Sequence, residues 1–325
     1  MYPFTFTKAS DEMSAIGAGA SGGRYIAGGT TLIDLMRETV ERPESVVDIN
    51  GLPHRDIDLQ PDRLRVGSLV RMSELAAHRD VRREYPVITQ ALELSASPQL
   101  RNMASIGGNL MQRPRCLYFR DSTSACNRRR PGSGCPAIGG RNRTHAILGT
   151  SEQCVATHPS DLAVALVALN ARIILKDNEG EHTTAIRDFF RVPGSTPDRE
   201  HSLTPGQLIV AVEVPAVAGA RRSGYLKVRD RESYEFAIAS AAVVLDMQGP
   251  TIRSARVAAG GVGTVPWHLP AVERELTGKP ATPNVIRAAA ETAADGATAL
   301  SENGFKISLL KTTVYRALQT VAGTP

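Results

Sequence analysis

Arg24-Tyr-Ile-Ala-Gly-Gly-Thr-Thr-Leu-Ile33 is the stretch on which the fold turns. Residues 24–27 read as a buried strand. It ends in the paired glycines Gly28 and Gly29, and a helix is expected from Thr30 or Thr31, with Leu32, Leu35 and Met36 recurring at i, i+3 and i+4. Paired glycines let backbone amides approach a phosphate closely, and a helix N-terminus adds unsatisfied donors and a favourable dipole. The same residues also suit an ordinary threonine cap after a tight turn. Ser105-Ile106-Gly107-Gly108-Asn109 supplies a second glycine pair, beside a hydroxyl and an amide, in a segment that reads as non-helical. Two such loops can hold the two ends of one extended dinucleotide. A third candidate, Gly17-Ala-Gly-Ala-Ser-Gly22, spells the dinucleotide fingerprint. It follows a predicted helix over 8–16 and leads into a strand, the reverse of the order that motif needs, so it reads as a flexible turn.

Around these loops the pattern mixes helix and strand. Strands are predicted at 46–49, 64–66, 172–176, 208–214, 224–229, 239–246 and 252–259. Helices are predicted from a Ser73 cap to about 80, at 91–95 with Pro98 ending that region, and at 161–170, 270–277 and 283–299. Residues 102–159 read mostly as loop. The best internal boundary is Val217-Ala-Gly-Ala-Arg-Arg222, which divides the chain at about residue 219.

At about 150 residues per domain, 325 residues imply roughly two domains, and 42% hydrophobic with 22% charged residues suit a globular chain with sizeable cores. Aromatic residues make up 5% and tryptophan occurs once, so no aromatic platform for nucleic acid stands out. No apolar run approaches the roughly 18 residues of a membrane span. Met1-Tyr-Pro-Phe-Thr-Phe-Thr-Lys8 lacks a basic start followed by an apolar stretch, so no signal peptide is expected here. The chain is then cytoplasmic, or it reaches the periplasm folded and attached to a partner that carries a signal.

All four cysteines, Cys116, Cys126, Cys135 and Cys154, fall in one stretch with the spacing C-x9-C-x8-C-x18-C. Eight arginines accompany them between residues 113 and 143, with Asp121 as the single acid. Core cysteines behave as small hydrophobes and scatter through strands and helices. These sit among Gly, Pro, Asn and Arg, and so read as ligands. Structural zinc favours close C-x2–4-C pairs, which are lacking here. Widely spaced thiolates in a loop suit a 4Fe–4S cluster, with zinc, disulfides or free thiols as the alternatives. The arginines then either offset a cluster's negative charge or stand solvated or against an acidic partner. The seven histidines show no metal-binding spacing. His158, between Cys154 and Asp161, is the one that could lie near a bound cofactor. Glu232 and Glu235 read as surface charges.

The segments Ala27–Ile33 and Arg101–Asn109 resemble the FAD-binding subunit of the xanthine dehydrogenase family of molybdenum hydroxylases. Ser160-Asp161 before an apolar helix, Gly206–Pro215, Tyr225–Arg229 and Ala259–Trp267 follow in that family's order. The resemblance implies an α+β chain. A two-subdomain FAD-binding domain of the vanillyl-alcohol-oxidase type would span 1–219, and a smaller α+β domain 220–325. It implies FAD held by Ile26, Ala27, Gly28, Gly29, Thr30, Thr31, Leu32 and Ile33, and by Ser105, Ile106, Gly107, Gly108 and Asn109. Asp161, Ile209 and Lys227 would add contacts near the ribityl chain and ring. Where many relatives have an acid-Ile-Ala sequence, this chain has Ser233-Tyr-Glu-Phe-Ala237, which puts the ring environment and any NAD site in question. The cysteine loop, about 110–158, stands where ordinary relatives are nearly contiguous. It resembles the aldehyde-oxidising branch whose flavin subunit carries an extra 4Fe–4S cluster on Cys116, Cys126, Cys135 and Cys154. The implied partners are a large molybdenum-cofactor subunit and a small 2Fe–2S subunit in a heterotrimer, with no nucleic acid. The implied role is electron transfer from those clusters through FAD to an external acceptor, with no catalytic side chain in this subunit. A 4-hydroxybenzoyl-CoA reductase-like flavin subunit and a stand-alone flavin oxidase are the alternatives.

Overall fold

The computed structural model describes residues 1–324. Twelve strands among them form three sheets. In chain order they are β1 (Thr5–Lys8), β2 (Arg24–Ile26), β3 (Ser45–Asp48), β4 (Ile57–Leu59), β5 (Arg63–Gly67), β6 (Arg172–Asp177), β7 (Gly180–Ala185), β8 (Leu208–Pro215), β9 (Ser223–Val228), β10 (Ala239–Gln248), β11 (Thr251–Gly260) and β12 (Trp267–His268).

The first sheet is small and parallel, ordered β1-β3-β2, with helices Glu12–Ala20 and Leu32–Arg37 in its crossovers. The second is antiparallel, ordered β4-β5-β8-β6-β7. The third, also antiparallel, is ordered β12-β11-β10-β9. The arrangement is the expected α+β one, with a smaller C-terminal domain after the larger N-terminal part.

Strand periodicity assigns the faces of the third sheet. Ala239, Ala241, Val243 and Leu245 of β10 point into a core closed by helices Pro270–Leu276, Pro283–Glu291 and Phe305–Ala322. Ala242 and Val244 point the other way, into a core shared with the second sheet and helix Asp161–Ala168. That helix is buried at every position, as its unbroken apolar sequence requires once neighbours surround it. It is therefore the joint between the two parts of the chain.

Several local expectations change. Strand β2 is only partly buried, because it lies at a sheet edge. Helix Glu12–Ala20 runs through Gly17 and Gly19, so of the fingerprint-like glycines only Gly22 stands in a turn; Gly19 lets Tyr25 pack against the helix. Pro98 opens a helix, Pro98–Met103, because a proline suits the first helical position. Ser105 caps the short helix Ile106–Leu110, so the second glycine pair is helical. Arg71, not Ser73, stands at the N-cap of Met72–Ala77. The final helix, Phe305–Ala322, was not expected, and its buried residues Leu310, Val314, Ala317 and Leu318 complete the C-terminal core.

Candidate cofactor site

The loop after β2 packs directly on the segment before the second glycine pair. A Cβ on Gly28 would lie 1.9 Å from the Met103 carbonyl oxygen, so only glycine fits there. Gly29 follows at φ +70°. Two residues overlooked in the sequence hold this junction. Asn50 donates from Nδ2 to the Ala27 carbonyl at 2.9 Å. Arg71 donates to Asn50 Oδ1 at 3.0 Å and to the Met103 carbonyl. Neither stands in a motif; both act on backbone carbonyls, and such contacts leave no sequence signature.

The backbone amides of residues 28–32 have no hydrogen-bond partner among the described residues. Thr31 holds the N-cap position, yet its hydroxyl makes no capping bond, so the plain threonine-cap alternative does not describe this loop. Ile33 and Met103 are large apolar side chains left 43% and 53% exposed beside it. Free amides flanked by uncovered apolar surface are what a bound dinucleotide would satisfy and cover.

From the second glycine pair the site continues inward. Asn109 is buried and its Oδ1 accepts from Ser160 Oγ at 2.5 Å. Ser160 caps helix Asp161–Ala168 through the Ala163 amide at 3.0 Å. Asp161 is paired with Lys227 Nζ at 2.8 Å and accepts from Tyr225 Oη at 2.7 Å and Ser95 Oγ at 3.1 Å. Burial, and then the Asp161 charge, push the Tyr225 phenol well above its usual range. A small, partly open cavity lies here, lined among others by Arg115, His158, Asp161, Phe236 and Gly260. Of the expected cofactor residues, Asp161 faces this cavity. Lys227 reaches the site through Asp161, and Ile209 is packed in the interior of β8, 7% exposed.

The four cysteines are unpaired thiols and line a second, small cavity together with Arg128, His145, Phe119, Ala137 and Ala156. Burial, with Cys126 and Cys154 adding, pushes the Cys116 thiol up to about 12. Among the described residues, no three His, Cys, Asp or Glu side chains converge on a point where a single ion would sit. Buried Arg128 Nε and His145 Nδ1 lack partners.

Six of the eight arginines bond within the chain through their side chains, while Arg130 and Arg141 are exposed as the solvated alternative expects. Arg115 and Arg120 pair with Asp34 of helix Leu32–Arg37, and Arg120 also with Glu38. Arg113 joins Glu41 and Glu200, Arg128 joins Glu200, and Arg143 joins Asp230. Arg129 binds the carbonyls of Tyr118, Ser122 and Ser124. The cluster of positive charge therefore fastens the cysteine stretch to its own chain. Among the described residues, Arg128 is the one arginine with a hydrogen bond to a cysteine sulfur, Cys154 Sγ at 3.5 Å.

Against known proteins, residues 2–217 match the model of the FAD binding domain in molybdopterin dehydrogenase. Residues 224–321 match the CO dehydrogenase flavoprotein C-terminal domain. The chain belongs to the FAD-binding subunits of the molybdenum hydroxylase family. It is 45% identical over 300 residues to the aldehyde oxidoreductase FAD-binding subunit PaoB of Escherichia coli, covering 91% of each chain. It is 26% identical to the glyceraldehyde dehydrogenase medium chain of Sulfolobus acidocaldarius, covering 88% of this chain and 86% of that one. The fold matches the flavin chain of Cu,Mo-CO dehydrogenase with a TM-score of 0.77 over 99% of both chains, at 21% identity. As a family member the chain is an oxidoreductase subunit that binds FAD, and the glycine loops described above fit that cofactor.

His158 gives this flavin subunit an acid sensitivity. Its ring meets Phe190 edge-on at 4.5 Å, and burial, with Arg128 adding, pushes it down to about 3. Burial likewise brings His201 to about 4. Both are neutral when folded but titrate near 6.5 when unfolded, so unfolding takes up protons below pH 6.5. The stability present above pH 6.5 is lost as pH falls towards those values, by about 1.4 kcal/mol per unit for each residue. Burial also brings His145 to about 4, so urea midpoints between pH 6.5 and 5 should fall with that slope for each of three histidines, and His158→Gln should remove about a third of the total. An unaltered slope in the variant would exclude His158 as the cause.

Proposed function

We propose that this chain is the flavin- and cluster-bearing electron-transfer subunit of a molybdenum-dependent aldehyde oxidoreductase. The observation that carries the reading is the ring of four thiols around one cavity, in a chain 45% identical to an aldehyde oxidoreductase FAD subunit. A single zinc ion needs four donors about 2.0–2.3 Å from one point. Thiols spread around an apolar cavity suit a 4Fe–4S cluster, whose four irons each take one cysteine. FAD supplies two-electron chemistry when bound and a 4Fe–4S cluster one-electron chemistry.

The chain's own residues do the holding. Gly28 to Leu32 would offer their amides to the pyrophosphate. Ser160 and Asp161, on the wall of the first cavity, would stand towards the ribityl and ring region, with Asn109 bracing Ser160. Cys116, Cys126, Cys135 and Cys154 would hold the cluster, and the segment from Cys154 to Asp161 joins the two cavities directly in sequence. In this reading the substrate is oxidised on a large molybdenum-cofactor subunit, a small 2Fe–2S subunit delivers the electrons, and the assembly follows its signal-bearing partner to the periplasm or stays in the cytoplasm.

The purified chain is expected to contain one FAD and about four irons, and to reduce a dye with aldehyde only when the two partner subunits are added. Turnover by the chain alone would favour a stand-alone flavin oxidase. Zinc without iron would remove the cluster from the reading.

A further inference from the structure

Two side chains around the cysteine cavity approach sulfur without being ligands. His145 Nε2 lies 3.2 Å from Cys116 Sγ, and Arg128 Nη2 lies 3.5 Å from Cys154 Sγ. Both residues are buried, at 4% and 6% exposure. Both are braced from outside. Glu200 holds Arg128 Nη1 at 3.0 Å, and Arg113 shares that carboxylate at 2.6 Å. The His145 amide donates to the Asn142 carbonyl at 2.9 Å, while Asn303 Nδ2 and Lys306 Nζ donate to the His145 carbonyl at 3.3 and 3.0 Å.

We propose that His145 and Arg128 are positioning residues that set the reduction potential of the cluster, by donating hydrogen bonds to the thiolates of Cys116 and Cys154. The inference rests on the cluster reading above. A ligating cysteine has lost its proton and can only accept, so His145 must carry its proton on Nε2. When one electron enters the cluster no proton need move and no bond breaks; the added charge spreads onto the sulfurs. Donors aimed at those sulfurs bind the reduced form more strongly than the oxidised one and raise the potential. The guanidinium carries a full charge in a site with little water, so its effect exceeds that of the neutral imidazole.

The test is a reductive titration of the full chain under anaerobic conditions, followed by low-temperature electron paramagnetic resonance, with iron measured in each sample. At the wild-type midpoint, Arg128→Met should lower the reduced-to-oxidised ratio about tenfold, which is about 59 mV for a one-electron couple. His145→Phe should lower it by a smaller factor. His145→Gln, whose amide can still donate, should restore most of that loss. Should Arg128→Met lose its iron, the two His145 variants decide the matter between them. Four irons in every sample with unmoved midpoints would overturn the tuning role and leave the cluster reading standing. A wild-type chain without iron would overturn both.

Discussion

A Cys126→Ser chain is expected to lose nearly all its iron, from about four per molecule to less than one, while it keeps its fold and at least part of its FAD. Serine offers a harder, less acidic donor than a thiolate, and a cubane with one open corner exchanges and degrades. The loop around position 126 is held by contacts that do not involve sulfur. The Cys126 amide donates to Ser133 Oγ at 3.0 Å, and its carbonyl accepts from the Arg130 amide at 2.8 Å. Asn127 bonds the carbonyl and side chain of Gln153 and receives the Gly134 amide at 2.7 Å. Those bonds persist in the variant, so the stretch loosens without unfolding the domain. The flavin loops at Gly28 and Gly107 are built from other elements. Absorbance should therefore keep the flavin bands and lose the broad cluster shoulder beneath them. Full iron content in the variant would show that Cys126 is not a ligand.

Replacing Lys227 with methionine should destabilise the chain by about 3–5 kcal/mol, because it strands a buried carboxylate. The Lys227 and Asp161 side chains are 1% and 6% exposed, and Lys227 Nζ also donates to the Leu94 carbonyl at 3.0 Å. Once the ammonium is gone, Tyr225 and Ser95 still donate to Asp161, but two hydroxyls do not balance a full charge in that core. The loss falls on the first turn of helix Asp161–Ala168, which joins the two parts of the chain and abuts the flavin-side cavity, so FAD affinity should fall with stability. The double variant Lys227→Met/Asp161→Leu should recover much of the stability, since an apolar pair removes both charges at once. Denaturant midpoints of the two single variants and the double variant measure this. Equal loss in the double and the single would mean that the pair contributes packing alone.

The parts of this chain legible in sequence are those where backbone geometry leaves little choice. Gly28 admits no side chain against Met103, and Ser160-Asp161 opens a helix whose apolar run leaves only burial as its fate. The cysteine ring was legible because four thiols in a Gly- and Arg-rich stretch have no packing explanation. Turn chemistry was read less well. Pro98 and Ser105 were taken as signs of non-helical chain, yet a proline at the first helical position and a serine cap are ways to begin a helix. The ion pairs that most of the arginines make could not be read. Their partners Asp34, Glu38, Glu41, Glu200 and Asp230 lie up to 87 residues away, and a charge reveals its partner only once the chain has folded. Asn50 and Arg71 escaped notice for the same reason.

Lys306 gives the chain a timetable. Its buried Nζ binds the carbonyls of Thr144, His145 and Gly261 at 3.0, 3.0 and 2.7 Å, and the neighbouring Asn303 holds those of His145 and Ala146. Glu302 and Ser301 in turn grip Asn142. Residues 301–306 follow the last cysteine, Cys154, by more than 140 residues, whereas domains fold from the N-terminus as synthesis proceeds. The cysteine stretch thus lacks these partners until residues 301–306 have been made, well after the residues of the flavin loops. On the cluster reading, iron delivery would follow the synthesis of these residues, and a chain truncated before residue 301 would leave Asn142 and His145 without the partners that brace them.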